Sequence, residues 1–325
     1  MKRRDFIHSS GLLGASVSIG TFTGIKPVQA QTGTVQRQPA PGRMLKLTGD
    51  YYRHYPVDFS RGEEGALGFK GWGGKADIEV PADETALIPM HIWNIGISPE
   101  LPFTSNGPAG GVMEMLEWAS RSAPIIRADI PPVLEAARKA GIAVVHVASD
   151  ERYAKKYPGY RSAVDLAGPE PGGLSKAPGH DIKRPPDDIK DTLVFGERFD
   201  DSIGYYSERI DFPPQAKPLD SEYVVLTAHQ LTEALRSMGV WNLIYIGFAI
   251  NWCLWFSPCG MTDMSRLGYR CNCIRECVTA VENKESTVGE FNKRQALWRT
   301  SLMFGYIHGK DDFIGACEKL GPKKT

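Results

Sequence analysis

Short runs of consecutive apolar residues recur along the chain from residue 83 onward, separated by longer stretches in which apolar and polar residues alternate with a helical period. Uninterrupted apolar runs of about four to eight residues are typical of strands buried on both faces of a sheet. They predict strands at Thr85–Ile92, Ile142–Val147, Tyr223–Leu226 and Asn242–Ala249. A fifth strand is predicted at Tyr269–Ile274 and a short sixth one near Tyr306 and Ile307.

The intervening stretches predict helices, among them one at residues 125–141 that Gly141 terminates, one that ends at Gly239, one from Asn251 to Gly268 and one at residues 291–303. Strands that alternate with helices predict a mainly parallel sheet covered on both faces. We therefore expect an α/β fold, a three-layer α/β/α sandwich with a roughly six-stranded sheet. Its cleft should lie at the carboxyl ends of the strands, where the strand order reverses.

Three regions follow one another along the chain. Residues 1–30 carry Arg3 and Arg4 before a short apolar run, which is the layout of a twin-arginine signal peptide. Residues 31–82 predict a Pro/Gly-rich linker and an aromatic N-terminal arm, and residues 83–325 predict the α/β domain. Inside that domain, residues 157–190 are rich in Pro, Gly and charge and predict irregular structure.

Composition and charge exclude several classes of partner. The 38 Lys and Arg residues are balanced by 38 Asp and Glu residues, so there is no basic excess to hold nucleic acid. The apolar run in the leader is too short to span a bilayer, and no later segment approaches that length. We expect a protein exported by the twin-arginine route to the periplasm or the extracellular space, with a small molecule as its substrate or ligand.

Cys253 is the strongest candidate for chemistry. It follows a predicted strand and a tight turn at the start of a predicted helix, where backbone amides stabilise a thiolate and can hold an oxyanion. The alternative is a small buried apolar side chain, as most free cysteines are. Cys271, Cys273 and Cys277 lie close together but lack the Cys-x2-Cys spacing of zinc sites, so we expect no metal or other cofactor.

Several segments resemble the isochorismatase-like cysteine hydrolases, in order, over roughly residues 83–320. The matching segments are Thr85–Ile88, Ala136–Val147, the nucleophile turn Gly247–Cys253, and Arg275–Glu282 after it. The resemblance implies a three-layer fold, a homo-oligomer and a Cys–Asp–Lys triad whose thiolate attacks a carbonyl carbon, typically of an amide. It also implies a cis peptide at Phe248–Ala249, with the amides of Ala249 and Cys253 turned toward the oxyanion.

Two members of that triad are replaced in this chain. His91 stands where the family has its aspartate, and Thr227 or a near neighbour stands where the family has its lysine. His91 could serve as a substitute base, since neutral imidazole accepts a proton readily, or it could be a buried structural histidine.

Three hypotheses about function follow. The first is a cysteine hydrolase that acts on a small amide or related C–N bond, with Cys253 as nucleophile and His91 as base. The second is a catalytically inactive relative that binds a small ligand or partner in the same cleft, because triad members act as a unit. The third is a redox or metal role for the clustered cysteines. Candidate pocket residues are Trp93, Asn94, Asn251, Trp252 and Thr227.

Overall fold

The computed structural model describes residues 42–52, 60, 74–172, 196 and 198–323. The predicted signal peptide and the first part of the predicted linker lie outside the described residues. One eight-stranded sheet runs through the described part of the chain in the order β2-β1-β8-β7-β6-β3-β4-β5. The strands are β1 (Met44–Tyr51), β2 (Gly74–Pro81), β3 (Thr85–Met90), β4 (Ala143–Val147), β5 (Tyr223–Val225), β6 (Asn242–Phe248), β7 (Arg270–Thr279) and β8 (Ile307–His308).

Helices cover both faces of this sheet. They are α1 (Gly110–Met115), α2 (Ala119–Ala128), α3 (Ile130–Ala140), α4 (Glu151–Ala154), α5 (Pro158–Ala167), α6 (Phe199–Arg209), α7 (Ala228–Met238), α8 (Cys253–Phe256), α9 (Met261–Arg266), α10 (Phe291–Met303) and α11 (Lys310–Leu320). None of the helices within the described ranges is long and apolar enough to cross a membrane.

Two apolar clusters, one on each face, make up the core. Side chains of β3 alternate between them: Leu87 belongs to the cluster with α2, α3 and α11, whereas Ile88 belongs to the cluster with α7, α9 and α10. This alternation follows from the two-residue period of a strand. It confirms the predicted three-layer α/β/α class with a mainly parallel sheet.

The sheet has eight strands where the sequence analysis predicted roughly six. The two additional strands, β1 and β2, pair antiparallel in the region predicted as linker and arm. Their apolar positions alternate with polar ones, so that Leu45 and Leu47 are buried while Lys46 between them is exposed. Alternation of this kind is typical of a strand with one buried face. β1 joins the rest of the sheet through an antiparallel pairing with β8.

Two other predicted segments differ from the structure, and some of its helices were not predicted. Residues 157–190 were expected to be irregular, but α5 occupies Pro158–Ala167, with a proline at a first-turn position that needs no N–H donor. Residues 173–190 lie outside the described part of the chain. α6 was not predicted at all. The helix expected from Asn251 to Gly268 is divided into α8 and α9, with Cys259 between them at a left-handed φ of 69°.

Strand order fixes the position of the cleft. The chain proceeds from β3 outward through β4 to β5, and then returns to place β6 on the other side of β3. The carboxyl ends of β3 and β6 therefore flank the point at which the strand order reverses, where ligands bind in open α/β sheets. His91 directly follows β3, and the segment that leads to Cys253 directly follows β6.

A buried polar cluster ties α3, β4 and β5 together at a distance from that cleft. Arg138 Nε and Nη2 each donate to the Glu222 carboxylate at 2.8 Å, and His146 Nε2 donates to it at 3.0 Å. Burial raises the pKa of Glu222, but hydrogen bonds from His146 and Arg138 outweigh it and bring the value to about 2. Glu222 thus remains ionised in the folded protein at almost any working pH.

We expect Glu222→Gln to lower the free energy of unfolding by roughly 2 kcal/mol at pH 7. Removal of one partner of a buried ion pair costs about 3–5 kcal/mol, and partial exposure of Arg138 reduces that cost. Urea denaturation measures it. The difference between variant and parent should shrink as the pH falls from 4.5 toward about 2, because the unfolded carboxylate protonates first.

Glu135→Gln is the matched control for that measurement. Its carboxylate pairs with Lys139 on the same helix at 2.5 Å, but both side chains are mostly exposed. Exposed pairs contribute little, so this change should leave the free energy of unfolding close to that of the parent. Equal effects from the two variants would show that the buried cluster contributes nothing specific.

Candidate active site

A close approach between β3 and β6 organises the cleft. Gly247 pairs with Met90 and has a φ of 123°, and a Cβ at this position would lie 1.9 Å from the Met90 carbonyl oxygen. Only glycine fits both the conformation and the space. His91 and Phe248, the next residues on the two strands, are therefore held side by side at the carboxyl edge. The Phe248–Ala249 peptide bond is cis, at the position for which the resemblance implies it.

Cys253 lies beyond this turn, at the first residue of the single-turn helix α8. It is partly accessible, whereas the other five cysteines are buried. It opens into a surface pocket of about 430 Å³ lined by Asn251, Trp252, Cys253, Phe256 and Ser257. Trp252 and Phe256 are 47% and 69% exposed, so the pocket has an apolar and open rim. A larger pocket of about 650 Å³ lies between α3 and α11 and contains none of the predicted site residues.

The Cys253 thiol is not the preformed thiolate that a long helix would favour. Burial raises its pKa above the ordinary 9.0, and hydrogen bonds from Ser257 and from the amides of Ala249 and Cys253 offset this only in part. One turn of helix supplies little of the macrodipole that a full helix would provide. The two amides are nevertheless those that the resemblance assigns to the oxyanion, and they stabilise negative charge on sulfur.

His91 is buried and neutral. Its side chain is 5% exposed, its φ is 50°, and its Nδ1 has no hydrogen-bond partner among the described residues. Burial lowers its pKa to about 4, and a hydrogen bond with the Ala148 backbone offsets a small part of that shift. His, Asn and Asp tolerate the left-handed region better than most residues. His91 does not contribute to the pKa shift of Cys253, so the structure brings the two to one edge of the sheet without forming an ion pair.

A chain of stacked rings positions His91. The imidazole stacks on Trp93 with centroids 5.5 Å apart, Trp93 packs on Trp118 at 5.5 Å, and Trp118 stacks on Phe248 at 5.8 Å. Aromatic contacts at these distances are favourable. Trp93, a predicted pocket residue, therefore connects the candidate base to the cis-peptide turn through packing.

The polar side chains of three other predicted pocket residues form hydrogen bonds with the backbone. The Asn94 amide donates to the Arg209 carbonyl and its oxygen accepts from the Asp211 amide, both at 3.0 Å. Asn251 makes the same paired contact with Val281 at 2.9 Å, although it also lines the pocket. Thr227 caps α7 by accepting a hydrogen bond from the Gln230 amide. It follows β5, which lies three strand positions from β6 in the sheet, a distance of roughly 14 Å. The structure does not bring Thr227 to the thiol.

Two side chains that affect the site were not predicted from the sequence. Ser257, one helical turn after Cys253, lines the same pocket, and its hydroxyl acts to lower the pKa of the thiol. Tyr206 on α6 is buried, and burial followed by the nearby Tyr153, Cys253 and Asp150 raises its pKa well above 10.0. The four-residue spacing of Cys253 and Ser257 could have indicated the first contact. No local signal marks Tyr206, because α6 reaches the cleft through tertiary packing.

The remaining cysteines lie inside the core. Cys271 and Cys273 belong to one apolar cluster and Cys277 and Cys317 to the other. All six cysteines are free thiols. Within the described residues, no group of three or more His, Cys, Asp or Glu side chains could hold a metal ion.

Fold and site together define an α/β/α protein that presents one accessible thiol at the switch point of its sheet. Among solved structures, it is similar to a cysteine hydrolase from Pseudomonas syringae pv. phaseolicola, with 16% identity, a TM-score of 0.43 and coverage of 74% of this chain and 95% of that one. It is also similar to an isochorismatase-like hydrolase from Alkaliphilus metalliredigens, with 18% identity, a TM-score of 0.40 and coverage of 73% and 97%.

Among curated proteins, the chain is similar to the ureidoacrylate amidohydrolase RutB of Caulobacter segnis, at 24% identity over 252 residues that cover 75% of this chain and 91% of the relative. RutB of Caulobacter vibrioides is 24% identical over 251 residues, with coverage of 75% and 96%. No family model matches the chain. Together with the motif order, the sequence relatives confirm the resemblance to the isochorismatase-like cysteine hydrolases.

We expect alkylation of Cys253 by iodoacetamide to have a pH midpoint above 9.0, because burial destabilises the thiolate. Peptide mass spectrometry resolves Cys253 from the five buried cysteines. Ser257→Ala should move the midpoint still higher, since it removes a hydrogen bond that stabilises the anion.

Ser237→Ala is the control for this titration, since its hydroxyl bonds to the Ala234 carbonyl at the end of α7. It should leave the midpoint unchanged. A midpoint below the ordinary 9.0 would contradict the structural account and restore the stabilised thiolate that the position of Cys253 in the sequence predicts.

Proposed function

We propose that this protein is a thiol hydrolase that cleaves an amide or a related C–N bond of a small molecule through Cys253. One observation carries the proposal: Cys253 alone among the cysteines is accessible, and it follows the turn at the switch point of the sheet, where the amides of Ala249 and Cys253 act to lower the pKa of its thiol. The amidohydrolase activity in the names of the sequence relatives supports this reaction class.

The reaction begins with neutral groups. As the Cys253 sulfur forms a bond to the substrate carbonyl carbon, the thiol proton passes to the His91 imidazole and the carbonyl oxygen becomes an oxyanion. The amides of Ala249 and Cys253 are the donors available to that oxyanion. The C–N bond then breaks, and the leaving nitrogen takes the proton from His91.

Water completes the cycle. His91 accepts a proton from water as the water oxygen attacks the thioester carbon, and the C–S bond breaks. The proton returns to sulfur, which leaves an acid product and a free thiol. Because burial holds the pKa of His91 to about 4, the imidazole is an unprotonated acceptor at neutral pH.

The catalytically inactive relative stands as a second candidate. The raised pKa of Cys253 and the absence of an ion pair with His91 favour it, as does the replacement of the family aspartate and lysine. Such a protein would hold a small ligand in the same open pocket without turnover.

We expect a panel of small amides and ureido compounds, assayed by amine or ammonia release, to contain a substrate whose turnover Cys253→Ala abolishes. His91→Asn should lower kcat/KM by about 10²-fold or more, the usual contribution of a general base. Asn tolerates the left-handed backbone at this position, so the fold should remain intact.

The acid limb of kcat/KM for the parent should fall near pH 4, because below it His91 is protonated and cannot accept the thiol proton. If the acid limb of kcat/KM instead had its midpoint near pH 6.5, the buried His91 would be ruled out as the base. Saturable binding of panel compounds without any turnover would instead establish the inactive alternative.

The proposal extends to export and assembly. The twin-arginine leader predicted at residues 1–30 supports a periplasmic or extracellular location, and the family resemblance supports a homo-oligomer.

We expect replacement of both Arg3 and Arg4 by lysine to retain the full chain in the cytoplasm of a bacterial host, because the arginine pair is the recognised signal. Fractionation and immunoblotting measure the distribution. Lys2→Gln, which leaves the pair intact, is the control and should not change export. Equal periplasmic yield from all three proteins would refute this route.

A further inference from the structure

Two aromatic side chains from one short stretch of chain form part of the pocket at Cys253. Trp252 directly precedes α8 and Phe256 is its last residue, and the Phe256 amide donates to the Trp252 carbonyl at 2.8 Å. Because this hydrogen bond spans four residues, the two side chains lie one helical turn apart on the same side. Both line the pocket of about 430 Å³ into which the thiol opens. Trp252 and Phe256 are called the aromatic wall below.

The exposed ring of Phe256 is held in place by the side chain beneath it. It packs edge-on against Trp255, with ring centroids 5.7 Å apart and an interplanar angle of 88°. Trp255 is buried, and its indole nitrogen donates to the Thr300 hydroxyl on α10 at 3.0 Å. The wall is therefore anchored to the core of the domain. A surface that is already fixed loses little conformational entropy when a ligand packs against it.

The polar groups of this pocket offer little to a charged ligand. Both polar atoms of the Asn251 amide are occupied by Val281, and the Ser257 hydroxyl acts on the thiol. Among the described residues that line the pocket, none carries a charged side chain. Burial is the largest influence on the Cys253 thiol and disfavours its anion. A carboxylate on a ligand would meet the same unfavourable surroundings, so the pocket suits an uncharged group.

We propose that the molecule that reacts with Cys253 carries a flat, uncharged apolar group beside its reacting carbon, and that this group packs against Trp252 and Phe256. The inference rests on the proposed function and names its substrate class, which is small amides with an aromatic or similarly flat apolar substituent. Rings attract one another in offset-stacked or edge-to-face contacts, and both members of the wall present a ring to the pocket.

Three maleimides test the inference without knowledge of the substrate, because they differ only in the group on the ring nitrogen. N-benzylmaleimide carries an aromatic group, N-methylmaleimide a small one, and maleimidoacetic acid a carboxylate. In each reaction the Cys253 sulfur bonds to one alkene carbon and the other alkene carbon takes up the thiol proton, so no group leaves. Peptide mass spectrometry follows Cys253, and each rate is divided by the rate of the same reagent with 2-mercaptoethanol.

We expect the normalised rate of the benzyl reagent to exceed that of the methyl reagent about tenfold, as partial burial of one ring would give. The carboxylate reagent should be the slowest of the three. Phe256→Ala and Trp252→Ala should each lower the benzyl-to-methyl ratio about threefold, because each removes one of the two rings that the benzyl group contacts.

Phe103→Ala is the matched control for the wall variants. Phe103 is also an exposed phenylalanine, at 39%, but it lines a different surface pocket beside Ala119 and Arg127. Its removal should leave the ratio unchanged. A thermal midpoint close to the parent's will establish that each variant folds, as expected for the truncation of an exposed side chain.

The outcomes separate this inference from the function on which it rests. Equal benzyl and methyl rates in the parent, or a ratio that neither wall variant lowers, would overturn the aromatic contact while Cys253 remains a reactive nucleophile. A carboxylate reagent that reacts faster than the methyl reagent would overturn the uncharged character of the group. A parent protein that reacts with none of the three overturns both proposals.

Light scattering on the same proteins tests the other occupant that an exposed aromatic pair could have, a second copy of the chain. The wall variants should have the same molar mass as the parent. A lower mass in either variant would assign Trp252 and Phe256 to a contact between copies and overturn their assignment to the substrate.

Discussion

The close approach of β6 to β3 at Gly247 is the constraint on which the site depends. A side chain at this position would overlap the Met90 carbonyl, and the φ of 123° would strain any other residue. Because the two strands meet here at the point where the strand order reverses, His91 and the turn to Cys253 emerge side by side. The packed rings between Trp93 and Phe248 then fix the orientation of both segments.

Desolvation dominates the electrostatics of the resulting cleft. Burial lowers the pKa of His91 and raises those of Cys253 and Tyr206, so each of the three groups is neutral at pH 7. The family's aspartate and lysine would supply opposite charges at such a site. In their absence, charge has to be created during the reaction and stabilised by backbone amides and by dipoles that are already in place.

The sequence predicted the central layers of the fold because β3 to β6 are mostly apolar on both faces and stand out as short runs, whereas β7 carries polar residues among its buried ones. β1 and β2 were missed, since one face of each is polar and their pairing partners are distant in sequence. α6 was missed for a related reason: it packs through Ser202, Tyr206 and the end of the helix, a pattern weaker than that of the core helices.

The candidate site was predictable in part. The positions of Cys253 and His91 could be predicted because strand ends and the family motif are recognisable in short stretches of sequence. The roles of Asn94, Asn251 and Thr227 depend on hydrogen bonds across up to 117 positions of sequence or on which strand adjoins which. The pKa of Cys253 depends on burial and on the length of α8, and the left-handed Cys259 that separates α8 from α9 carries no turn signal in its residue type.

The antiparallel pair β1 and β2 has a further consequence at the rim of the sheet. β2 is the outermost strand, and its exposed side chains Lys75, Asp77 and Glu79 are all charged, with Glu79 paired to Lys46. The opposite rim, β5, has only three residues. A strand from a second copy that paired with β2 would have to desolvate these charged side chains. A strand that paired with β5 would find only a short run of backbone hydrogen-bonding groups. Both rims therefore resist fibre-like growth of the sheet, a protection that matters for a chain whose interior strands are as apolar as these.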